Sequence, residues 1–125
     1  MKIKHKSRTT LRKKAWKLKS EYVRRKADGQ CYTCTNKKPW KQMQAGHYIH
    51  KNCLDYDPIG IQCQCVNCNK WNHGRRGEYA LHLVRDYGMQ AVVDLEERAK
   101  QDHKFNIVEL EEIILDLQQK LQELK

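Results

Sequence analysis

Two Cys-x2-Cys pairs constrain the fold of this chain more than any other feature. Each pair forms a tight knuckle whose thiolates point the same way, and two knuckles complete a tetrahedral zinc site. Thirty residues separate the pairs, more than a zinc ribbon usually carries, and that length suits a β-hairpin with a long connection. We therefore expect one structural Zn²⁺ to be bound by Cys31, Cys34, Cys65 and Cys68.

The remaining two cysteines are predicted to be free thiols. Cys63, on the same predicted strand as Cys65, is expected to face away from the metal, and Cys53 lies in a loop. The basic N-terminus lacks the apolar region of a secretory signal, and no apolar run of about 18 residues predicts a membrane span. In a protein that is not exported, six cysteines are expected to be zinc ligands and free thiols rather than disulfides. We therefore expect the protein to lie in a reducing compartment, the cytoplasm.

The net charge of +10 is unevenly distributed along the 125 residues. Residues 1–28 contribute +10, residues 29–93 add +4 and residues 94–125 subtract 4. A basic front end of this kind favours a polyanion as partner, with nucleic acid as the first choice. An anionic membrane surface is the weaker alternative, because the basic segment lacks a broad apolar face.

The basic segment is predicted to be a short arm followed by a helix. The helix would start with Thr10 as its N-cap and stop at Asp28-Gly29, with an apolar stripe that contains Leu11 and Ala15. Four basic residues lie off that stripe, either on a solvated face or against phosphates. We favour phosphate contacts, since so few acids accompany the bases. These residues are Lys13, Lys14, Lys17 and Arg24.

The rest of the chain is predicted to hold a hairpin and several helices. Trp40, which follows the first knuckle, is expected to pack beside it, with base stacking as the alternative. The predicted strands are 43–49 and 59–64, and the predicted helices are 66–73, 77–87, 89–101 and a last one opened by a capping box at Asn106.

The last helix carries apolar residues in an a/d heptad register. It either packs back on its own domain or forms a homodimer through residues 106–124, and the pattern leaves both open. We divide the chain into a basic arm and helix (1–28), a zinc-bound core (29–76) and a helical extension (77–125).

His47 is the candidate catalytic residue, because it lies inside the cysteine pairs and ahead of a loop, a strand and a helix. Hairpin, helix and a second metal make up a ββα-metal nuclease core, so the predicted fold class is α+β, mainly helical, with a zinc-stapled core of this kind. Phosphodiester hydrolysis there needs a neutral imidazole that takes a proton from water. It also needs a divalent cation, for which Mg²⁺ and hard oxygen ligands are suited.

Several short motifs together resemble the phage NinG/Rap recombination proteins, which belong to the wider HNH group of nucleases. The motifs are Gly46-His47-Tyr48, the run 62–69, His73-Gly74 and Gly77-Glu78-Tyr79. The resemblance covers roughly residues 29–125. It implies a phage or prophage protein in a bacterial host, and a metal-dependent endonuclease acting on Holliday junctions and D-loops. It also implies that His47 is the general base and that Asn69 is a ligand of the catalytic metal.

Two departures from the HNH pattern leave the catalytic ligands open. Gly60 stands where the middle Asn should orient the imidazole, so Asn52 or Asn72 would have to substitute, unless the site is weak or inactivated. Gly46 stands where many HNH proteins have a metal-binding Asp. Candidates for the second ligand are His73, Asp55 and Asp57.

Each candidate ligand has a structural alternative. Asn69 and His73 would share one helical face if 66–73 is helical, whereas His73 is otherwise a helix-end residue. Asp55 and Asp57 otherwise shape the turn before Pro58.

Further phosphate contacts are expected from basic residues near the site, which position the backbone without reading sequence. They are Lys51, Lys70, Arg75 and Arg76. Two other functions fit the same charge and cysteines: a non-catalytic zinc-clasped DNA-binding protein, which Gly60 favours, and an RNA-binding zinc protein.

Overall fold

The basic N-terminal segment forms one long helix, α1 (Arg8–Lys26). In this computed structural model, which describes residues 7–124, Ser7 is the N-cap, and its hydroxyl accepts the N–H of Thr10 at 3.2 Å. The prediction of Thr10 as the cap is wrong because the serine starts the helix one turn earlier. The stop is confirmed, since Asp28 (φ 51°) and Gly29 (φ 74°) are both left-handed and cannot continue a helix. Residues 1–6 of the predicted arm lie outside the described residues.

Both predicted strands are confirmed, in shorter form, as the antiparallel pair β1 (Gln44–His47) and β2 (Ile61–Gln64). The register sets His47 opposite Ile61. The second strand starts late because Asp57 Oδ1 accepts the N–H groups of Ile59 and Gly60, both at 3.0 Å, and closes a turn there. The hairpin therefore ends at His47, directly before the long loop.

The segment after the second knuckle differs from the predicted helix. A π-helical turn covers Asn67–Trp71, and Asn72 and His73 then leave helical geometry with φ values of −112° and 53°. The prediction that Asn69 and His73 share one helical face is therefore wrong. Gly74 (φ 80°) completes the break.

The helical extension begins as predicted with α2 (Arg76–Tyr87) and α3 (Met89–Ala99). Gly88, with φ of 92°, separates the two helices. Tyr79 of α2 is fully buried, and its hydroxyl donates to the carbonyl of Gly46 at 2.8 Å. Tyr79 therefore packs α2 against the hairpin.

The last helix is α4 (Ile107–Glu123), and its capping box is complete. Asn106 Oδ1 accepts the N–H of Glu109 at 2.8 Å, and Glu109 Oε1 accepts the N–H of Asn106 at 3.0 Å. Leu110 and Ile114 of the heptad stripe pack against α1. The described part of the chain thus uses this stripe within one molecule, and a homodimer through residues 106–124 stays a prediction.

Buried side chains form three small clusters rather than one large core. One joins α2 and α3 to the hairpin loop, one surrounds the cysteines, and one joins α1 to α4. Since each small apolar cluster supplies little stability, a metal bound within the cysteine cluster would have a large effect. The α+β, mainly helical class is confirmed, and no helix within residues 7–124 has the length and apolar character of a membrane span.

Candidate active site and metal centre

The four cysteines of the two knuckles meet in one group. All four sulfur atoms lie within 4.8 Å of one another, and Cys34 Sγ is 3.6 Å from Cys65 Sγ. Backbone N–H groups point at the sulfurs, from Cys65 to Cys31 Sγ at 3.3 Å and from Cys68 to Cys65 Sγ at 3.4 Å. Four thiol ligands at this spacing fit a tetrahedral structural metal such as zinc.

The protein by itself favours only part of the thiolate charge that zinc requires. Burial works against the charged form of Cys65, but hydrogen bonds from the Cys68 N–H and from Asn36 lower its pKa to about 6. Burial raises the pKa of Cys34 to about 12. A bound cation would hold both as thiolates. Cys63 is buried in the same cluster without being one of the four sulfurs. The expectation that Cys63 faces away from Cys65 is wrong, because residues two positions apart along a strand share a face.

His47 lies between two aromatic rings at the end of β1. Its ring stacks on Trp16 of α1 at a centroid distance of 4.9 Å and an angle of 16°, and on His50 at 4.9 Å and 29°. Its side chain keeps 15% of its surface exposed. The imidazole is therefore fixed in orientation and open to solvent at one edge.

The carboxylate of Asp55 contacts this imidazole, and the guanidinium of Arg12 contacts the same carboxylate. Asp55 Oδ1 lies 3.0 Å from His47 Nε2, and Asp55 Oδ2 lies 3.9 Å from a terminal nitrogen of Arg12. Tyr56 donates its hydroxyl to the carbonyl of Arg12 at 3.2 Å, which fixes the helix beside the loop. In a neutral imidazole, a carboxylate beside Nε2 favours the tautomer with the proton on Nε2 and the lone pair on Nδ1.

The imidazole opens into a cleft of about 420 Å³ between α1 and the loop that follows β1. Arg12 and Lys13 give the cleft two positive charges against the one negative charge of Asp55. An anion such as a phosphodiester would be attracted to this opening. The cleft is lined by Arg12, Lys13, Trp16, His47, Asp55 and Tyr56.

The missing side chain at Gly60 does not affect the surroundings of His47, because position 60 faces away from the imidazole. A β-carbon at Gly60 would lie 3.2 Å from Leu95 and 3.5 Å from Asp57 Oδ1, in the interior under α3. Alternation along the strands sets positions 46 and 60 on one face of the hairpin and position 47 on the other. An Asn at position 60 would therefore not reach the imidazole. The orienting contact comes from Asp55, while Asn72 instead donates to the carbonyl of Asn67 at 2.9 Å.

Gly46 is required by close packing. A β-carbon on residue 46 would collide with the amide oxygen of Gln64, which is fully buried. Gln64 Nε2 donates to Thr33 and to the carbonyl of Gly74, both at 2.9 Å. An Asp at this position is excluded as long as Gln64 lies there.

The predicted ligands of a catalytic metal do not converge on one point. Asp57 is used by the turn and by Arg98, whose guanidinium lies 2.7 Å from Asp57 Oδ2. His73 is exposed, and Asn69 Nδ2 donates to Gln44 at 2.8 Å. In the described range, the four cysteines are the only group of three or more Cys, His, Asp or Glu whose ligand atoms cluster.

The predicted phosphate contacts divide into three sets. Lys13 lines the His47 cleft, Lys51 lines a neighbouring one, and the Arg76 guanidinium lies 5.3 Å from the ring of Tyr48, next to His47. Arg24 instead lies 5.0 Å over the ring of Trp40, which is half-buried near the first knuckle, and Arg75 pairs with Glu78 at 3.8 Å. The remaining ones, Lys14, Lys17 and Lys70, lie on the surface away from these contacts.

Sequence reasoning missed Arg12, Trp16 and His50. Arg12 and Trp16 each follow a residue of the apolar stripe, Leu11 and Ala15, so they flank the buried face and border whatever that face packs against. That position is the signal that could have identified them.

Comparison with known proteins identifies the family. Residues 1–125 match the family described as Bacteriophage Lambda NinG protein. The NinG protein of Salmonella phage P22 is 31% identical over 117 residues, which are 90% of this chain and 57% of that protein. Those of Escherichia phage lambda and Escherichia phage 933W are each 30% identical over 117 residues.

The chain spans just over half the length of these curated relatives, 56–57%. No solved structure matches it. The family match extends over the full length of the sequence, and the relatives agree with it. This chain therefore belongs to the NinG protein family, whose description names the NinG protein of bacteriophage lambda.

Proposed function

We propose that this protein is a divalent-metal-dependent DNA endonuclease that cleaves branched recombination intermediates such as Holliday junctions and D-loops. The observation that carries the proposal is the chain of contacts from Arg12 through Asp55 to His47, which ends in a basic cleft. An oriented, partly exposed imidazole backed by a carboxylate is the arrangement of a general base. The resemblance of the sequence motifs to the NinG/Rap proteins and the wider HNH group of nucleases implies the same reaction.

In the proposed mechanism, His47 Nδ1 takes the proton from a water molecule that attacks the phosphorus. Asp55 keeps the proton on Nε2 and stabilises the imidazolium that forms. Arg12 and Lys13 bind the non-bridging phosphate oxygens at the mouth of the cleft. A divalent cation at the site would stabilise the pentacoordinate charge and the leaving 3′-oxygen.

The fit of Mg²⁺ to this site is partial. Asn69 offers its amide oxygen, and Asp55 offers carboxylate oxygens that already serve His47 and Arg12. Mg²⁺ commonly takes most of its ligands from water and substrate phosphate. We propose that Asn69 is the main protein ligand and that the DNA phosphate completes the site.

The cysteine group is proposed to serve as the structural Zn²⁺ site of a ββα-metal core. It joins the start of the core, at Cys31, to the end of β2 and the turn Asn67–Trp71. Trp71 in that turn is 74% exposed beside Lys70, which suits stacking on an unpaired base at a branch point. We also propose that the protein acts in the cytoplasm of the phage-infected bacterium, where free thiols persist.

The second candidate is a non-catalytic, zinc-clasped DNA-binding protein. The positions of His73 and Asp57 favour it: Asp57 is bound by Arg98, His73 is exposed, and within residues 7–124 neither belongs to a group of three or more clustered Cys, His, Asp or Glu ligands. Binding alone needs only the basic surface and the zinc, whereas catalysis also needs the imidazole.

Cleavage of a four-way junction tests the choice between the two functions. We expect the protein with Mg²⁺ to cut a labelled junction at least tenfold faster than a linear duplex of the same sequence, and we expect EDTA to stop the cutting, because the reaction needs the cation. Products would be measured on denaturing gels. Tight junction binding without cleavage in Mg²⁺ or Mn²⁺ would support the binding protein and exclude the endonuclease.

A further inference from the structure

A second and larger cleft adjoins the His47 site. It has a volume of about 620 Å³ and lies between the start of α1, the loop after β1 and the segment 101–105 that leads to α4. Of its lining residues, only Lys51 was among the predicted DNA contacts. Its basic and aromatic lining residues include Arg8, Arg12, His50, Lys51, Lys104 and Phe105.

The charge of this cleft is strongly positive. Four cations line it, Arg8, Arg12, Lys51 and Lys104, against one carboxylate. That carboxylate, Asp102, is 96% exposed and lies 3.8 Å from Lys51 Nζ, so solvent screens the pair. Arg8 Nε donates to the carbonyl of Phe105 at 2.6 Å, which fixes the cleft wall to α1. An anionic chain is the ligand that this wall suits.

The two clefts form one path past the imidazole. Arg12 lines both of them. His50 lines the second cleft, and its ring stacks on His47 at 4.9 Å. A polymer whose phosphate lies at His47 would therefore continue past Arg12 and His50 into the second cleft.

The aromatic residues of this cleft indicate whether a single strand or a duplex fits it. Phe105 is half-buried there, with the ring of His103 edge-on at 4.9 Å. A positive groove with an aromatic platform is the usual arrangement for single strands, because each unpaired base offers a face for stacking. The volume of about 620 Å³ is that of a small-ligand pocket and suits a nucleotide or two of one strand.

We infer that this second cleft binds the single DNA strand that continues from the scissile phosphate, with Arg8, Lys51 and Lys104 on its phosphates and Phe105 against a base. The inference rests on the proposed function and adds a substrate feature to it. A strand must separate from its partner at the site, which a branch point provides and an intact duplex does not.

The test is DNA binding in EDTA by fluorescence anisotropy, with a duplex that carries a ten-nucleotide single-stranded tail and with the same duplex made blunt. The cleft variant is Lys51→Gln/Lys104→Gln. The control is Lys37→Gln/Lys38→Gln, which removes the same charge from exposed positions on the first-knuckle loop. Neither pair belongs to the proposed catalytic groups.

We expect the cleft variant to bind the tailed duplex about tenfold more weakly at 0.1 M salt and the blunt duplex within twofold of the unmodified protein. Losing two phosphate contacts on a single strand should also reduce the slope of log K against log salt by about 1.4. The control variant should weaken binding to both DNAs by the same factor, and by less than the tenfold expected for the cleft variant.

The inference would be overturned if the cleft variant and the unmodified protein bound the tailed duplex with the same affinity and the same slope of log K against log salt. That result would leave the endonuclease proposal intact. Tighter binding of an RNA tail of the same sequence would also overturn it. Absence of binding to either DNA by the unmodified protein would overturn the inference together with the proposed function.

Discussion

His47→Ala is expected to reduce the rate of junction cleavage by about a thousandfold, within the range of 10²–10⁴ that a general base supplies. The imidazole is the group in the cleft whose Nδ1 is set up to accept a proton, since Nε2 faces Asp55 at 3.0 Å. The rate would be measured under single-turnover conditions, with saturating protein and Mg²⁺. Junction affinity, measured separately in EDTA, is expected to change less than threefold.

The matched control for His47 is His82→Asn. His82 Nδ1 lies 2.6 Å from the carbonyl of Tyr32, and an Asn amide can still donate there. This variant should cleave at the rate of the unmodified protein. If His47→Ala keeps its full rate while zinc content and melting are normal, His47 is not the base.

Cys65→Ser is expected to abolish cooperative folding of the core. Structural zinc supplies about 10–16 kcal/mol of apparent binding free energy in small domains, whereas a whole domain is stable by only about 5–15 kcal/mol. The buried clusters here are small and separate, so they cannot compensate for the loss. Circular dichroism melting and elemental analysis would measure the effect, with one zinc per chain expected before substitution.

Cys53→Ser serves as the control for zinc loss. Cys53 lies outside the sulfur group, and its thiol donates to the carbonyl of Arg98 at 3.5 Å, a bond that a serine hydroxyl can replace. It should retain one zinc and melt within a few degrees of the unmodified protein. A Cys65→Ser protein that also retains zinc and melts normally would exclude the structural role.

The cysteine group and the element order were predictable because their signals are local. The spacing of Cys31 and Cys34 fixes a knuckle whatever the rest of the chain does, and Gly88 ends α2 through its own backbone conformation. The capping box at Asn106 is equally local. Such features depend on residues within about four positions of one another.

The assembly of the site was not predictable, because it depends on contacts between distant parts of the chain. Trp16 and His47 are 31 positions apart, and only the packing of α1 on the hairpin brings their rings together. Asp55 was expected as a metal ligand or turn residue, and its position behind His47 follows from the path of the loop. The break at Asn72 and His73 likewise has no strong signal before Gly74.

The central claim is that Asp55 acts through His47 as one unit, and a double-mutant cycle tests it most directly. Single-turnover cleavage rates would be measured for Asp55→Asn, His47→Ala and the double variant, each with confirmed zinc content. We predict that Asp55→Asn alone lowers the rate about a hundredfold, the upper end of the loss when a histidine's orienting carboxylate is removed, and that the double variant is no slower than His47→Ala. A double variant slower by a further hundredfold would contradict the account.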